Sequence, residues 1–266
     1  MRWYGNKSRY FEKIKPYIYR RATWIEPFSD GLGMAVPVIQ NLNFEHFLVN
    51  DINKDLYNVY TNLANIKTAK QLLNKISSFI QYEYYFKIIH KKYISKDFTN
   101  DIEWAYIFLI VKYYSFLNSL TSTFGQNTNN TKSSLLKDLN KIKDLLITKN
   151  VKIFNKDWRE FFNDLQDRCR KNVFIYCDPP YNKTDSVDYD CNFEITELFQ
   201  ILNQDYNDEP CLISYNNYSE NWQDAYNFYL IEKLNNSENW RASGCEVLIA
   251  NKNLFEIIEN NRYSLF

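Results

Sequence analysis

Short apolar runs alternate with helical patterns at the start of the chain and again after residue 150. Residues 22–28 and 45–50 are rich in β-branched and aromatic side chains, which predicts two β-strands. A helix is predicted after each strand, at residues 34–40 and 53–63. Further strands are predicted at residues 151–155, 173–178, 211–215, 228–232 and 246–250, and a further helix at 194–206. This alternation predicts an α/β fold with a largely parallel sheet.

The pattern changes in the middle of the chain, where helical periodicity dominates and strand signals are weak. A polar run at residues 125–134 interrupts this region. The most apolar stretch of the helical middle region, residues 104–111, is too short for a bilayer span, which needs about 20 residues. We therefore predict one α/β domain, formed by residues 1–66 and 150–266, with a mostly helical insertion at residues 67–149.

The composition excludes several classes of protein. Hydrophobic residues make up 45% and charged residues 24% of the 266, which is typical of a globular chain and not of a disordered one. Five cysteines at irregular spacings and two histidines predict neither a disulfide framework nor a metal site. No apolar signal-peptide core is found near the N-terminus. We expect a cytoplasmic protein with reduced thiols, no membrane partner and no metal.

Charge is unevenly distributed although the net charge is zero. Residues 1–21 carry a net +6 and residues 67–150 a net +7, whereas residues 22–66 carry −4 and residues 151–266 carry −9. Two basic segments indicate a possible contact with a polyanion. Solvated lysines on helical faces are the alternative interpretation.

The strongest chemical signal is Asp178-Pro179-Pro180-Tyr181, which follows the predicted strand at 173–178. Ligands of open α/β sheets bind beyond the carboxyl ends of the strands. The prolines have no N–H, so their carbonyls remain as acceptors beside the carboxylate. Asp178 and the Pro179 carbonyl can accept both hydrogens of an amino group on a heteroaromatic base, while Tyr181 stacks on the ring. A strand exit followed by a helical turn is the alternative.

A second signal lies at the first turn between strand and helix, Glu26-Pro27-Phe28-Ser29-Asp30-Gly31-Leu32-Gly33. Its glycines allow the backbone to approach a ligand, although a G-x-G pattern alone is weak evidence. Asp51 follows the second predicted strand, where an acidic residue is placed to bind the ribose hydroxyls of an adenosine cofactor. The G-x-G-x-x-G pattern of nicotinamide-binding domains is missing.

Seven segments, in order, resemble motifs of the Dam-type DNA adenine methyltransferases. The Asp-Pro-Pro-Tyr tetrapeptide is the most specific of them, and the resemblance covers most of the chain outside the insertion. The segments are Trp3-Tyr4-Gly5-Asn6-Lys7, residues 26–33 (EPFSDGLG), 49–56 (VNDINKDL), 153–161 (IFNKDWREF), 178–181 (DPPY), 212–217 (LISYNN) and 246–251 (EVLIAN).

This resemblance implies a Rossmann-like methyltransferase sheet with helices on both faces and an inserted, mostly helical DNA-recognition subdomain. It also implies S-adenosyl-L-methionine as cofactor and transfer of its methyl group to the N6 amino group of an adenine flipped out of double-stranded DNA. The implied catalytic residues are Asp178, Pro179, Pro180 and Tyr181. The implied cofactor-binding residues are Trp3, Tyr4, Gly5, Lys7, Glu26, Pro27, Phe28, Ser29, Asp30, Gly31, Gly33, Asp51, Ile52, Asp157 and Asp178.

The insertion is then the expected DNA-binding region. No arginine occurs between Arg21 and Arg159, so lysines, asparagines and glutamines are the candidates for DNA contacts in this region. Phosphate contacts are expected from Lys91, Lys92, Lys96 and Lys132, and base contacts from Gln126, Asn127 and Asn129.

The sequence also departs from the family pattern. Asp30 stands where the family usually has glycine, and the family's typical recognition stretch is not clearly present. Two other functions therefore stay open from the sequence. One is a methyltransferase of the same fold that acts on RNA or on cytosine. The other is a catalytically silent, nucleic-acid-binding subunit of a methyltransferase complex.

Overall fold

The computed structural model describes residues 7–125, 132–166, 171–180, 193–216, 218–234 and 246–263. The chain divides into two compact units. The first comprises Met1–Ser8, Asp30–Asn41 and Asp51–Asn155, and the second comprises Arg9–Ser29, Leu42–Asn50 and Lys156–Phe266.

The strands of the described residues are β1 (Thr23–Glu26), β2 (His46–Asn50), β3 (Val151–Phe154), β4 (Val173–Cys177), β5 (Cys211–Tyr215), β6 (Phe228–Lys233) and β7 (Val247–Asn251). They form a seven-stranded sheet in the order β3-β2-β1-β4-β5-β7-β6. Strands β1, β2, β4 and β5 run parallel in their pairings, whereas β7 is antiparallel to both β5 and β6. The predicted α/β fold with a Rossmann-like sheet is confirmed, and the antiparallel β7 makes the sheet mixed.

Helices connect these strands and form most of the first unit. The α-helices are α1 (Phe11–Ile14), α2 (Ala35–Asn41), α3 (Lys54–Ala64), α4 (Ile66–Ser78), α5 (Glu83–Ile94), α6 (Asp101–Tyr114), α7 (Lys132–Thr148), α8 (Trp158–Gln166), α9 (Ile195–Asp205), α10 (Asn221–Tyr226) and α11 (Lys252–Tyr263). No helix of the described residues is long and apolar enough to cross a membrane.

The first unit is built around α6. This helix packs against α3, α4 and α5, and its residues 107–111 are almost completely buried. Asparagine side chains begin three of the helices, since Asn53, Asn65 and Asn100 each accept hydrogen bonds from backbone N–H groups of the first turn. The predicted insertion, residues 67–149, lies in this unit together with α3 and β3.

The second unit contains the buried centre of the sheet. Every residue of β1, β4, β5 and β7 is buried. The ring of Trp24 stacks on Phe174 and Tyr176 of the neighbouring strand, at 5.6 Å between centroids in each case. The first strand ends at Glu26, two residues before the predicted end, because Pro27 has no N–H for the ladder. Because β1, β2, β4 and β5 are parallel, their carboxyl ends meet at one edge of the sheet.

Candidate active site

Asp178 follows β4 directly at the carboxyl edge of the sheet. Its Oδ1 accepts a hydrogen bond of 3.0 Å from Oγ of Ser214, which is in β5. The register explains this contact, because Cys177 pairs with Ile213 and the next residues of the two strands are therefore neighbours. Asp178 is half-buried, Pro179 is buried and Pro180 is half-buried. The carboxylate is thus held in a defined orientation at the strand end.

A buried hydroxyl lies behind this pair. The Tyr176 Oη is 2.9 Å from the Ser214 Oγ, and both side chains are fully buried. Sequence analysis assigned no role to Ser214 or Tyr176. The LISYNN segment was the only signal that drew attention to Ser214, and it did not show which side chain the serine contacts.

Glu26, the last residue of β1, is a buried carboxylate in the same unit. Its Oε2 accepts a hydrogen bond of 2.9 Å from Nε1 of Trp24, and only 2% of the residue is exposed. The adjacent strand contains Cys177, a free thiol whose pKa is raised well above 9.0 by burial and by the nearby Cys211, Glu26 and Asp178. This thiol stays protonated at neutral pH, which favours a packing role for Cys177 over nucleophilic chemistry.

Asn50, at the end of β2, joins two loops of the second unit. Its Nδ2 donates to the carbonyls of Pro27 and Lys156, each at 3.0 Å, and its Oδ1 accepts from the Lys156 N–H at 3.0 Å. Its carbonyl accepts from the Ser29 N–H at 2.9 Å. Asn50 is 1% exposed. The residue therefore fixes the turn after β1 and the segment before α8, and sequence analysis gave it no role.

An aromatic cluster surrounds the predicted cofactor residue Phe28. Its ring lies 6.0 Å from Trp158 and 5.7 Å from Phe193, measured between centroids, and the last two rings are 5.8 Å apart. Asp157 precedes Trp158, and its Oδ1 accepts from the Arg159 N–H at 2.9 Å. The structure therefore places Asp157 at the start of α8, beside this apolar cluster.

In the first unit, the Asp51 side chain contacts the backbone of Asp30. Asp51 Oδ2 accepts from the Asp30 N–H at 2.7 Å, and Oδ1 accepts from the Asn53 N–H at 2.8 Å. Burial raises the pKa of the Asp51 carboxyl from 3.8 to about 6, although both hydrogen bonds act to lower it. Asp51 thus titrates close to neutral pH.

The turn that contains Asp30, Gly31 and Gly33 has an unusual backbone. Asp30 has φ 43° and Leu32 has φ 56°, values in the left-handed region that favours glycine. Tyr60 Oη donates to the Asp30 carbonyl at 2.6 Å, and Leu32 is buried, so tertiary contacts hold the turn in this conformation. The departure from glycine at Asp30 is therefore accommodated by the fold. Ile52, which follows Asp51 in the chain, is half-exposed.

The lysines predicted to bind phosphates differ in their surroundings. Lys91 and Lys96 are exposed, and the Lys96 ammonium lies 4.3 Å from the centre of the Tyr93 ring. Lys92 Nζ is 2.9 Å from Glu103 Oε1. Lys132 Nζ donates to the carbonyls of Ser77 and Phe79, at 2.6 and 3.0 Å. Lys7, a predicted cofactor residue, is buried.

Several predicted site residues lie outside the residues that the structure describes. They are Trp3, Tyr4, Gly5, Gln126, Asn127, Asn129 and Tyr181.

Asp178, Pro179 and Pro180 thus lie beyond the carboxyl end of a parallel strand, where ligands of open α/β sheets bind. The sequence model of the D12 class N6 adenine-specific DNA methyltransferase family matches residues 3–242. The chain belongs to this family, and the predicted resemblance to DNA adenine methyltransferases is confirmed. It is an enzyme of adenine-specific DNA methylation.

Among solved structures, the rRNA methyltransferase aviRa from Streptomyces viridochromogenes is similar, with a TM-score of 0.42 and 8% sequence identity. The similarity covers 92% of this chain and 84% of that chain. Comparison with the curated proteins gives no match.

Proposed function

We propose that the enzyme transfers a methyl group from S-adenosyl-L-methionine to N6 of an adenine in double-stranded DNA, with Asp178 and the Pro179 carbonyl as acceptors for the target amine. The observation that supports this assignment is the Asp178 carboxylate at the end of β4, oriented by Ser214 at 3.0 Å. A carboxylate followed by proline supplies acceptors and no competing backbone donor.

These acceptors address the weak point of the reaction. The lone pair of an exocyclic amine is delocalised into the base, so the nitrogen is a poor nucleophile. Hydrogen bonds from its two protons favour a pyramidal nitrogen and stabilise the positive charge that develops on it. Alignment of this nitrogen with the methyl group supplies much of the remaining acceleration. Since a duplex buries the amino group, the adenine must leave the stack, and we propose that Tyr181 stacks on it.

The cofactor supplies the electrophilic methyl group, and Asp51 fits its ribose. Each Asp51 oxygen already accepts one backbone N–H and retains a lone pair for a hydroxyl. We propose that the ionised Asp51 accepts from the two ribose hydroxyls. The further residues proposed for cofactor binding are Trp3, Tyr4, Gly5, Lys7, Glu26, Pro27, Phe28, Ser29, Asp30, Gly31, Gly33, Ile52 and Asp157.

We further propose that residues 67–149 read the DNA and that residues 1–66 and 150–266 form the catalytic domain. Exposed Lys91 and Lys96 are the stronger candidates for phosphate contacts. Lys92 and Lys132 must first leave their partners within the chain. Gln126, Asn127 and Asn129 stay the proposed base-reading residues, because amide side chains pair with adenine edges.

The test is a single-turnover assay with unmethylated genomic DNA and radiolabelled S-adenosyl-L-methionine, followed by digestion to nucleosides. Asp178→Ala should lower the rate about 100-fold or more, the scale of losing an acceptor or donor aimed at transition-state charge. Asp224→Ala, an exposed carboxylate of α10 in the same unit, is the matched control and should keep the wild-type rate.

Three outcomes would contradict the proposal. A wild-type rate in Asp178→Ala would remove Asp178 from the chemistry. Label in cytosine, or in RNA in preference to DNA, would support a different amino-methyltransferase of this fold. If calorimetry shows that the wild-type protein binds neither S-adenosyl-L-methionine nor its demethylated product, the alternative of a catalytically silent subunit would be favoured.

A further inference from the structure

Two buried hydroxyl groups lie in line behind Asp178. Ser214 Oγ is 3.0 Å from Asp178 Oδ1, and Tyr176 Oη is 2.9 Å from Ser214 Oγ. A serine hydroxyl has a single hydrogen, and Ser214 donates it to Asp178. The bond between Tyr176 and Ser214 must then be donated by the tyrosine.

The tyrosine end of this relay is itself held in place. The Tyr176 ring is fully buried and stacks on Trp24, with 5.6 Å between centroids and 17° between planes. The Trp24 Nε1 in turn donates to the buried Glu26 carboxylate at 2.9 Å. Neighbouring strands therefore fix the hydroxyl of Tyr176, and through it the direction of the Ser214 hydrogen.

We propose that Tyr176 and Ser214 are positioning residues, which set the rotation of the Asp178 carboxylate so that its oxygens meet the target amine. This rests on the proposed role of Asp178. The burial of both hydroxyls supports a positioning role, because each buried polar group must be paired within the sheet and neither reaches solvent. The relay acts on the rate of transfer and not on the binding of cofactor or DNA.

The relay predicts a specific pattern of rates. Ser214→Ala removes a hydrogen bond to a charged group and lets the carboxylate rotate, and a misplacement of about 1 Å costs up to about 100-fold in rate. We expect the single-turnover rate to fall about 10- to 100-fold at saturating cofactor and DNA. Tyr176→Phe removes a bond between neutral groups, so its loss should be only a few-fold.

A double-mutant cycle separates a relay from two independent packing effects. If Tyr176 acts through Ser214, adding Tyr176→Phe to Ser214→Ala should cause no further loss of rate. Dissociation constants for S-adenosyl-L-methionine and for DNA should stay at wild-type values in all three variants. Tyr229→Phe removes a hydroxyl from β6, where the ring stacks on Phe255 at 4.5 Å, and should leave the rate unchanged.

Thermal unfolding measured beside each assay shows that the variants are folded at the assay temperature. A wild-type rate in Ser214→Ala, with Asp178→Ala inactive, would refute the relay and leave the proposed function standing. An active Asp178→Ala would instead refute the proposed function. Additive losses in the double variant, or rate losses that follow weaker ligand binding, would also overturn the relay and indicate a packing role.

Discussion

The protonation of Asp51 should control cofactor affinity near neutral pH. Burial raises the pKa of this carboxyl to about 6, so a proton competes with ligand hydroxyls for the same oxygens. In the proposed cofactor site, the ribose hydroxyls donate to the ionised form, so binding should strengthen as the pH rises through about 6. The stability of the unliganded protein should change with pH in the opposite direction. The pKa of Asp51 in the folded state exceeds its ordinary value of 3.8, so the contribution of Asp51 to the free energy of unfolding is complete below pH 3.8 and is lost as the pH rises through about 6.

The size of the effect follows from the fraction of ionised protein. With a pKa of about 6, roughly 90% of Asp51 is ionised at pH 7 and roughly 10% at pH 5. The apparent dissociation constant of the cofactor should therefore be about tenfold higher at pH 5 than at pH 7. In the wild type, the Asp30 N–H and the Asn53 N–H each donate to a separate oxygen of Asp51. Asp51→Asn leaves a single carbonyl oxygen for both donors. Loss of charged hydrogen bonds costs about 1.5–3 kcal/mol, or roughly 10- to 150-fold in affinity at pH 7.

Calorimetric titration of S-adenosyl-L-methionine at pH 5, 6 and 7 measures both effects. The α-amino group of the ligand stays mostly protonated in this range, so its titration contributes little. Asp144→Asn, an exposed carboxylate of α7, should reproduce the wild-type pH dependence. A dissociation constant that does not change with pH in the wild type, or the same slope in Asp51→Asn, would refute the reasoning.

Two further predictions concern DNA binding and folding. Lys91→Ala should lower the slope of log K for DNA binding against log salt by about 0.9. Lys92→Ala should change this slope less, because Lys92 is paired with Glu103. Fluorescence anisotropy at several salt concentrations measures both slopes, and equal slopes in Lys91→Ala and the wild type would show that Lys91 is only a solvated residue. Asn50→Ala should lower the free energy of unfolding by roughly 1–3 kcal/mol, because it leaves the buried backbone partners of Asn50 unpaired. Urea denaturation measures this loss, and a loss near zero would show that water replaces the side chain.

Two of the cysteines in the described part of the chain, Cys177 and Cys211, are buried free thiols. Burial raises the pKa values of Cys177 and Cys211 well above 9.0. Both stay protonated near neutral pH, so neither supplies the thiolate that attack on a base ring carbon requires.

The sequence alone determined the features that depend on neighbouring residues. Alternating apolar runs predicted the strands because each buried strand needs consecutive apolar side chains, and the structure confirms the strands with small differences in their ends. The position of Asp178 was equally local, since a carboxylate directly after a strand must lie at the carboxyl end of that strand. Asp51 could be assigned to the end of β2 for the same reason.

The contacts between residues far apart in the chain were decided by the tertiary structure. Ser214 and Asp178 are 36 residues apart, and Asn50 and Lys156 are 106 apart. Their contacts depend on the order and register of the strands, which no local pattern specifies. Likewise, Lys132 was indistinguishable in sequence from an exposed lysine, yet its ammonium binds carbonyls 53 and 55 residues away. Such hydrogen bonds form only after packing brings distant backbone within about 3 Å, so their partners cannot be read from spacing along the chain.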